Sequence, residues 1–379
     1  MIPSEQRRRI IALINREVVP AIGCTEPIAV ALCTARAAEL LGCMPERIAA
    51  RLSANILKNA MGVGIPGTGM IGLPIAIALG ASVGRSEYGL EVLRDVTPES
   101  VGEGRKYIAG GHIEIAHKSD IEEKLYIEIE AEAGGHRSVA IISGSHTRFV
   151  YTEADGRVLT DLRGECAADD DAADDVELTL RRVWEFATTA PADEIEFILE
   201  AGRLNRAAAE VSFRNQYGHT LGRTICCERG RAMLGDTLLS RILSYTSAAC
   251  DARMAGAMIP VMSNSGSGNQ GITATLPVTV YAEECGADSE RTARALILSH
   301  LTAIYIKQSL GRLSALCGCV VASTGSSCGI TYLMGGGYDE VSYAVKNMIA
   351  NLTGMICDGA KPSCALKLTS GVSDRKSVV

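Results

Sequence analysis

Aromatic side chains are scarce: four Phe, eleven Tyr and a single Trp, Trp184, make up 4% of 379 residues. Long apolar runs are missing as well. The longest, Met70 to Val83, is broken by Gly72, Pro74 and Gly80 and falls short of the ~20 residues a spanning helix needs. No excess of positive charge exists, since 37 basic against 44 acidic side chains leave a net charge of −7, so the electrostatic footprint of a nucleic-acid binder is lacking. The opening MIPSEQRRRIIALINREVV spreads its charges through an amphipathic pattern instead of enclosing a cleavable apolar core. That pattern leads us to expect a cytoplasmic chain with reduced thiols. GxGxxG does not occur at a strand-to-helix turn, which argues against a dinucleotide site. Disorder is excluded by the 47% of residues that are apolar, enough for a large core.

What the chain has in excess is cysteine, 13 residues, together with 39 glycines. With ~150 residues per domain, two domains are expected. The first ~80 residues alternate helical patterns, Ile10 to Val19 and Thr25 to Leu41, with glycine turns such as GVGIPGTG at 62–69. Thr-Glu-Pro opens the second pattern with a cap, an early acid and a proline. From about Lys106 the period becomes two. Tyr107 to His117, Lys124 to Ala133 and Arg137 to Ser143 alternate apolar and polar residues, as antiparallel strands with one wet face do. An acidic run at 169–175 reads as a solvated linker, followed by amphipathic helices over Val176 to Ala187 and Glu194 to Phe213. Beyond Thr220 the sequence is helical and rich in small residues. The expected fold is α+β: a mostly helical domain formed by both chain ends, residues 1–85 and 216–379, with an inserted α+β domain over 86–215 that contains an antiparallel sheet.

The cysteines divide. Cys33, Cys43, Cys250 and Cys285 fit the ordinary use of cysteine as a small hydrophobe, and the adjacent Cys226 and Cys227 suit neither chelation nor a common disulfide. Five others, Cys317, Cys319, Cys328, Cys357 and Cys364, fall within 48 residues among glycines and small polar residues. No CxxC pair is present, so a zinc ribbon or a thioredoxin-type site is disfavoured. Thiolates at irregular spacing with no partnering histidine suit an iron–sulfur cluster better than zinc; buried inert thiols are the competing reading. Cys24, in Gly-Cys-Thr-Glu-Pro, stands at the mouth of a predicted helix, where backbone N–H groups and the helix dipole favour a thiolate. The six histidines, His112, His117, His136, His146, His219 and His300, show no paired spacing and read as structural or surface residues.

Three stretches taken together, PAIGCTEP at 20–27, NSGSGNQG at 264–271 and TGMICDGAKPSC at 353–364, resemble the L-cysteine desulfidase family, distant relatives of the iron–sulfur L-serine dehydratase alpha chain. The resemblance runs over nearly the whole chain. It implies a 4Fe–4S cluster with one open iron, held by Cys317, Cys357 and Cys364, and a proton acceptor at Cys24. Cys319 and Cys328 have no secure counterpart. The implied reaction is β-elimination of L-cysteine to pyruvate, ammonia and hydrogen sulfide without pyridoxal phosphate, the open iron taking the substrate thiol and Cys24 the Cα proton.

The small amino-acid substrate also needs polar partners. Glycines in the 263–271 loop let backbone N–H groups approach an anion, and Ser265, Ser267, Asn269 and Gln270 add polar contacts. Lys361, between two of the proposed ligands, either neutralises cluster or substrate charge or lies in solvent. The alternatives are an L-serine dehydratase acting on a hydroxyl and, from a different class, a non-enzymatic iron–sulfur sensor. The insert is expected either to pack against a second copy in a homo-oligomer or to carry regulation; no nucleic-acid or membrane partner is expected.

Overall fold

The computed structural model describes residues 2–165, 176–311 and 314–373. Cys166 and the acidic run at 169–175 lie outside the described residues. Contacts divide the chain into two units, one of Gly23–Asp169 with Gly359–Lys361, the other of Met1–Ile22, Asp170–Asp358 and Pro362–Val379.

The first unit is built on a six-stranded sheet. Its order is Ile113–His117, Arg47–Leu52, Tyr126–Ala133, His136–Ser143, Phe149–Ala154, Arg157–Asp161. Alternation sets its faces: Ile127, Ile129, Ala131 and Ala133 are buried, while Glu128, Glu130 and Glu132 point the other way and pair with Arg51, Arg137 and Arg47. The buried face receives the helix Thr25–Leu41. Ser138 Oγ donates to Ala37 O at 2.7 Å and Cys33 Sγ to Ala140 O at 3.2 Å. That helix is apolar on nearly every side because Leu73–Ser82 packs against it too, where a Cβ on Gly80 would stand 2.5 Å from Ala31 O.

The sheet is mixed rather than antiparallel. Arg47–Leu52 runs parallel to Ile113–His117, with Ile48 opposite Ile113. The chain between them carries the helices Leu73–Ser82 and Pro98–Ala109, the long crossover that parallel pairing requires. Tyr107 to Ala109, expected at a strand start, are the last turn of the second of these helices.

The other unit is helical. Its long members are Ser4–Glu17, Leu199–Arg214, Leu238–Met254, Gly268–Glu284, Ser289–Leu310, Gly318–Leu333 and Tyr338–Leu352, with Cys364–Ser373 last. Small residues let their backbones approach closely: a Cβ on Gly325 would meet Ser299 O at 2.3 Å, and one on Gly329 would meet Ala295 O at 2.7 Å. Close backbone approach thus takes the place of large aromatic side chains at these contacts.

The α+β class is as expected, and both chain ends contribute to the helical unit. The contact boundaries nevertheless differ from 86 and 215. Residues 23–85 supply a sheet strand and the helices that cover the sheet, whereas Val183, Phe186, Ile195 and Ala201 share a buried cluster with Leu296, Leu298 and Ile330 of the helical unit. Among the described residues, no helix is long and apolar enough to cross a membrane.

Candidate functional site

In the helical unit the segment before Gly318 runs antiparallel to the one ending at Cys357. Leu316 bridges Ile356, Cys317 N–H donates to Met355 O at 3.1 Å, and Cys357 N–H donates to Ala315 O at 2.8 Å. Cys317 follows Leu316 and Cys357 follows Ile356 by one residue, positions that alternation in an antiparallel ribbon assigns to the same side. Cys317 is the N-cap of the sixteen-residue helix Gly318–Leu333. A hydrogen bond from the Cys319 thiol pulls the Cys317 thiol down to about 6 against the opposing effect of burial, helped by the N–H groups of Cys319 and Val320 and by the charge of Lys367. Cys319, bonded to Cys317 and fully buried, is pushed well above the ordinary thiol range. Cys317 is therefore the thiolate of the two.

Cys364 opens the helix Cys364–Ser373 and is buried; the positive charge of Lys367 acts on both Cys317 and Cys364. Lys367 Nζ donates to Ile356 O at 3.0 Å and pairs with Asp358. Cys328 does not belong to this group. It lies inside the helix with its thiol pushed up to about 12 by burial. No disulfide joins the twelve described cysteines. Among the described residues, no three His, Cys, Asp or Glu side chains converge as a single ion would need. Cys317 and Cys364 share the charge of Lys367, and thiols without a histidine are the donor chemistry that suits iron–sulfur clusters better than zinc.

The 263–271 stretch is a tight turn followed by a helix, not an open loop. Asn264 bridges Ser267 across Ser265 (φ +47°) and Gly266 (φ +77°), Ser267 Oγ caps Gln270 N–H, and Asn269 and Gln270 stand in the first turn of Gly268–Glu284. Gly271 is required here, because a Cβ would lie 2.0 Å from Met262 O. Ser265 Oγ and Gln270 Nε2 both donate to Asn264 Oδ1, at 2.9 and 2.8 Å. Gln270 Oε1 lies against Gly318, where a Cβ would be 2.9 Å away. Asn269 Oδ1 accepts from Arg253 Nη1 at 3.1 Å and from Cys250 Sγ at 3.5 Å. Asn269 and Gln270 thus share one unit, and in the case of Gln270 direct contact, with the Cys317 turn. Arg253, a buried guanidinium against Gly268 and Asn269, is absent from the sequence reading. Its signal was an arginine in an otherwise small run, SAACDARMAG.

Cys24 belongs to the α+β unit. It is the N-cap residue of the seventeen-residue helix Thr25–Leu41 and is buried. Gly23 before it has φ +69°, and a Cβ there would sit 2.6 Å from Pro66 Cγ, so the 62–69 segment closes over the helix mouth. That segment is a small hairpin, Gly64–Ile65 paired with Met70–Ile71. Glu26 in the first turn accepts from Asn59 Nδ2 at 2.9 Å. Lys361 belongs to this unit as well, its Cβ 3.1 Å from where a Cβ on Gly62 would be. A cleft of about 520 Å³ lined by Met44, Ser82, Glu103, Lys106, Tyr107 and His112 contains none of the sequence-predicted residues.

A family model described as the serine dehydratase alpha chain matches residues 87–375. The chain belongs to the serine dehydratase alpha-chain family. The matched span includes the thiol group and the Asn264 turn, while Cys24 precedes it. Relatives along the full length are UPF0597 proteins: one from Bacteroides fragilis is 67% identical over 368 residues, 97% of this chain and 86% of that protein. One from Phocaeicola vulgatus is 68% identical over 374 residues, 98% of this chain and 86% of that one. A third, from Aeromonas hydrophila, is 43% identical over 365 residues. A dehydratase expels water from its substrate, so the family name denotes lyase chemistry.

Proposed function

We propose that this serine dehydratase relative eliminates the β-thiol of L-cysteine, giving pyruvate, ammonia and hydrogen sulfide, and that Cys317, Cys357 and Cys364 hold a 4Fe–4S cluster for the purpose. The supporting observation is the antiparallel bridge Leu316–Ile356, which brings the Cys317 and Cys357 segments side by side, with Lys367 acting on Cys317 and Cys364 and Gln270 Oε1 beside Gly318. When bound, the cluster supplies an open iron as a Lewis acid for the departing sulfur. Cys319 keeps Cys317 ionised by donating its S–H, and Lys367 offsets negative charge beside the ligands. Ser265, Ser267, Asn269 and Gln270 orient the amino acid, and Lys361 adds a positive charge. Cys24 takes the Cα proton, a role suited to a thiol at the positive end of a seventeen-residue helix. A reducing cytoplasm matches so many unbridged thiols.

A second reading, L-serine dehydratase, is favoured by the family match itself. Anaerobic reconstitution with iron and sulfide quantification, followed by kcat/KM for L-cysteine and L-serine side by side, separates the two. Hydrogen sulfide release with the higher kcat/KM is expected for cysteine; a serine preference selects the second reading, and a protein that retains no iron overturns both. Cys24→Ala should abolish turnover while iron stays bound, whereas Cys357→Ala should lose the iron. The opposite pattern would reverse the two roles.

A further inference from the structure

His300 is completely buried in the helix Ser289–Leu310, and no step above uses it. Its hydrogen bonds fix its protons. The Thr275 hydroxyl has one hydrogen and donates it to Gly271 O at 2.7 Å, so toward His300 Nε2, 3.0 Å away, that oxygen must accept. Nε2 therefore carries the N–H. Nδ1 is left bare and accepts from Asn264 Nδ2 at 3.1 Å, and the same amide nitrogen also donates to His300 O at 3.2 Å. With its nitrogen committed to His300, Asn264 can only present its oxygen to Gln270 and Ser265, both of which donate to it. Gln270 then turns its NH2 to Asn264, to which one N–H donates, and this leaves its oxygen at Gly318. Reversing any amide in this chain would set oxygen against oxygen in a buried place, a loss of about 1–3 kcal/mol for each stranded group.

We propose that His300 is a positioning residue whose single tautomer, relayed through Asn264, holds Gln270 Oε1 toward Gly318 as the acceptor for the substrate's α-ammonium. The proposal rests on the elimination reading for the presence of an amino acid at this site, and it adds a selection rule. A fixed acceptor facing a charged donor favours an amino acid over the 2-hydroxy acid of the same shape by at least about tenfold.

The test uses the full chain, purified anaerobically, with L-alanine and L-lactate as unreactive probes in calorimetric titration. L-alanine is expected to bind at least about tenfold more tightly than L-lactate. His300→Leu, which removes the Nδ1 acceptor, should shrink that ratio about tenfold, and His300→Asn, whose Oδ1 can stand near the Nδ1 position, should restore most of it. Equal ratios in all three proteins, or an equal fall in both variants, overturn the proposal while leaving elimination untouched. If the parent binds neither probe yet turns over cysteine or serine, the proposal falls and the reaction stands; if it does neither, both fall. Should the variants not fold, 15N spectra of histidine-labelled parent protein still decide, since a protonated Nδ1 on His300 overturns the relay.

Discussion

At the residue scale, the cysteines show what chain position alone conveys. Cys24 was legible because its neighbours Gly23, Thr25, Glu26 and Pro27 announce a helix start, and the helix begins at Thr25 as expected. The selective ionisation of Cys317 was not legible. It depends on the Cys319 thiol two residues on and on Lys367 fifty residues away, a meeting created by packing. Cys319 was left without a role for the same reason. Gly23 illustrates the conformational demand beneath Cys24: its φ of +69° and the 2.6 Å approach of Pro66 exclude a side chain. Gly23→Ala is expected to destabilise the chain by about 1–3 kcal/mol, read from urea unfolding, and to slow turnover beyond that loss by turning the Cys24 mouth.

At the scale of elements, the strands Tyr126–Ala133 and His136–Ser143 were legible because one face is buried and the other bears charge. Phe149–Ala154 and Arg157–Asp161 escaped notice. The first is nearly continuous in burial and the second is exposed at the sheet edge, so neither has a clean period of two. The polar stretch at 263–271 read as a loop on composition, yet its second half is helical because Ser267 caps Gln270 N–H. In the other unit the close approach of Gly318–Leu333 to Ser289–Leu310 depends on glycine. Gly325→Ala places a methyl 2.3 Å from a backbone oxygen that cannot rotate away, and a loss of about 1–3 kcal/mol in unfolding free energy, read as a lowered urea midpoint, is expected. No change in that midpoint would mean that Ser289–Leu310 and Gly318–Leu333 are packed less closely than described.

For the whole molecule, two buried groups make opposing contributions to the pH dependence of stability. Burial pushes Asp251 up to about 6, against the N–H groups of Gly222, Leu221 and His219 that favour its charge. Between about pH 4 and 6 the folded chain therefore holds a proton that the unfolded one releases, and stability falls as pH rises. His300 runs the other way. Burial pushes it down to about 3, so below about 6.5 the unfolded chain takes up a proton that the folded one refuses, and stability falls as pH drops. The two slopes largely offset each other in the shared window. Asp251→Asn removes one of them and should lose about 1.5 kcal/mol more than the parent between pH 6 and 4.5, measured by urea unfolding at both values. A variant that tracks the parent would show that Asp251 is already ionised in that range.

The tripeptide Gly359–Lys361 belongs by contact to the α+β unit, although Cys357 and Cys364 on either side of it belong to the helical one. Gly359 holds φ +100°, and a Cβ there would come within 1.8 Å of Lys58 O. That approach and the positive φ leave no room for a side chain at Gly359. A residue inserted or deleted next to Gly359 would shift another side chain into that seat even if every cysteine were kept, so the length of this short stretch matters as well as its composition.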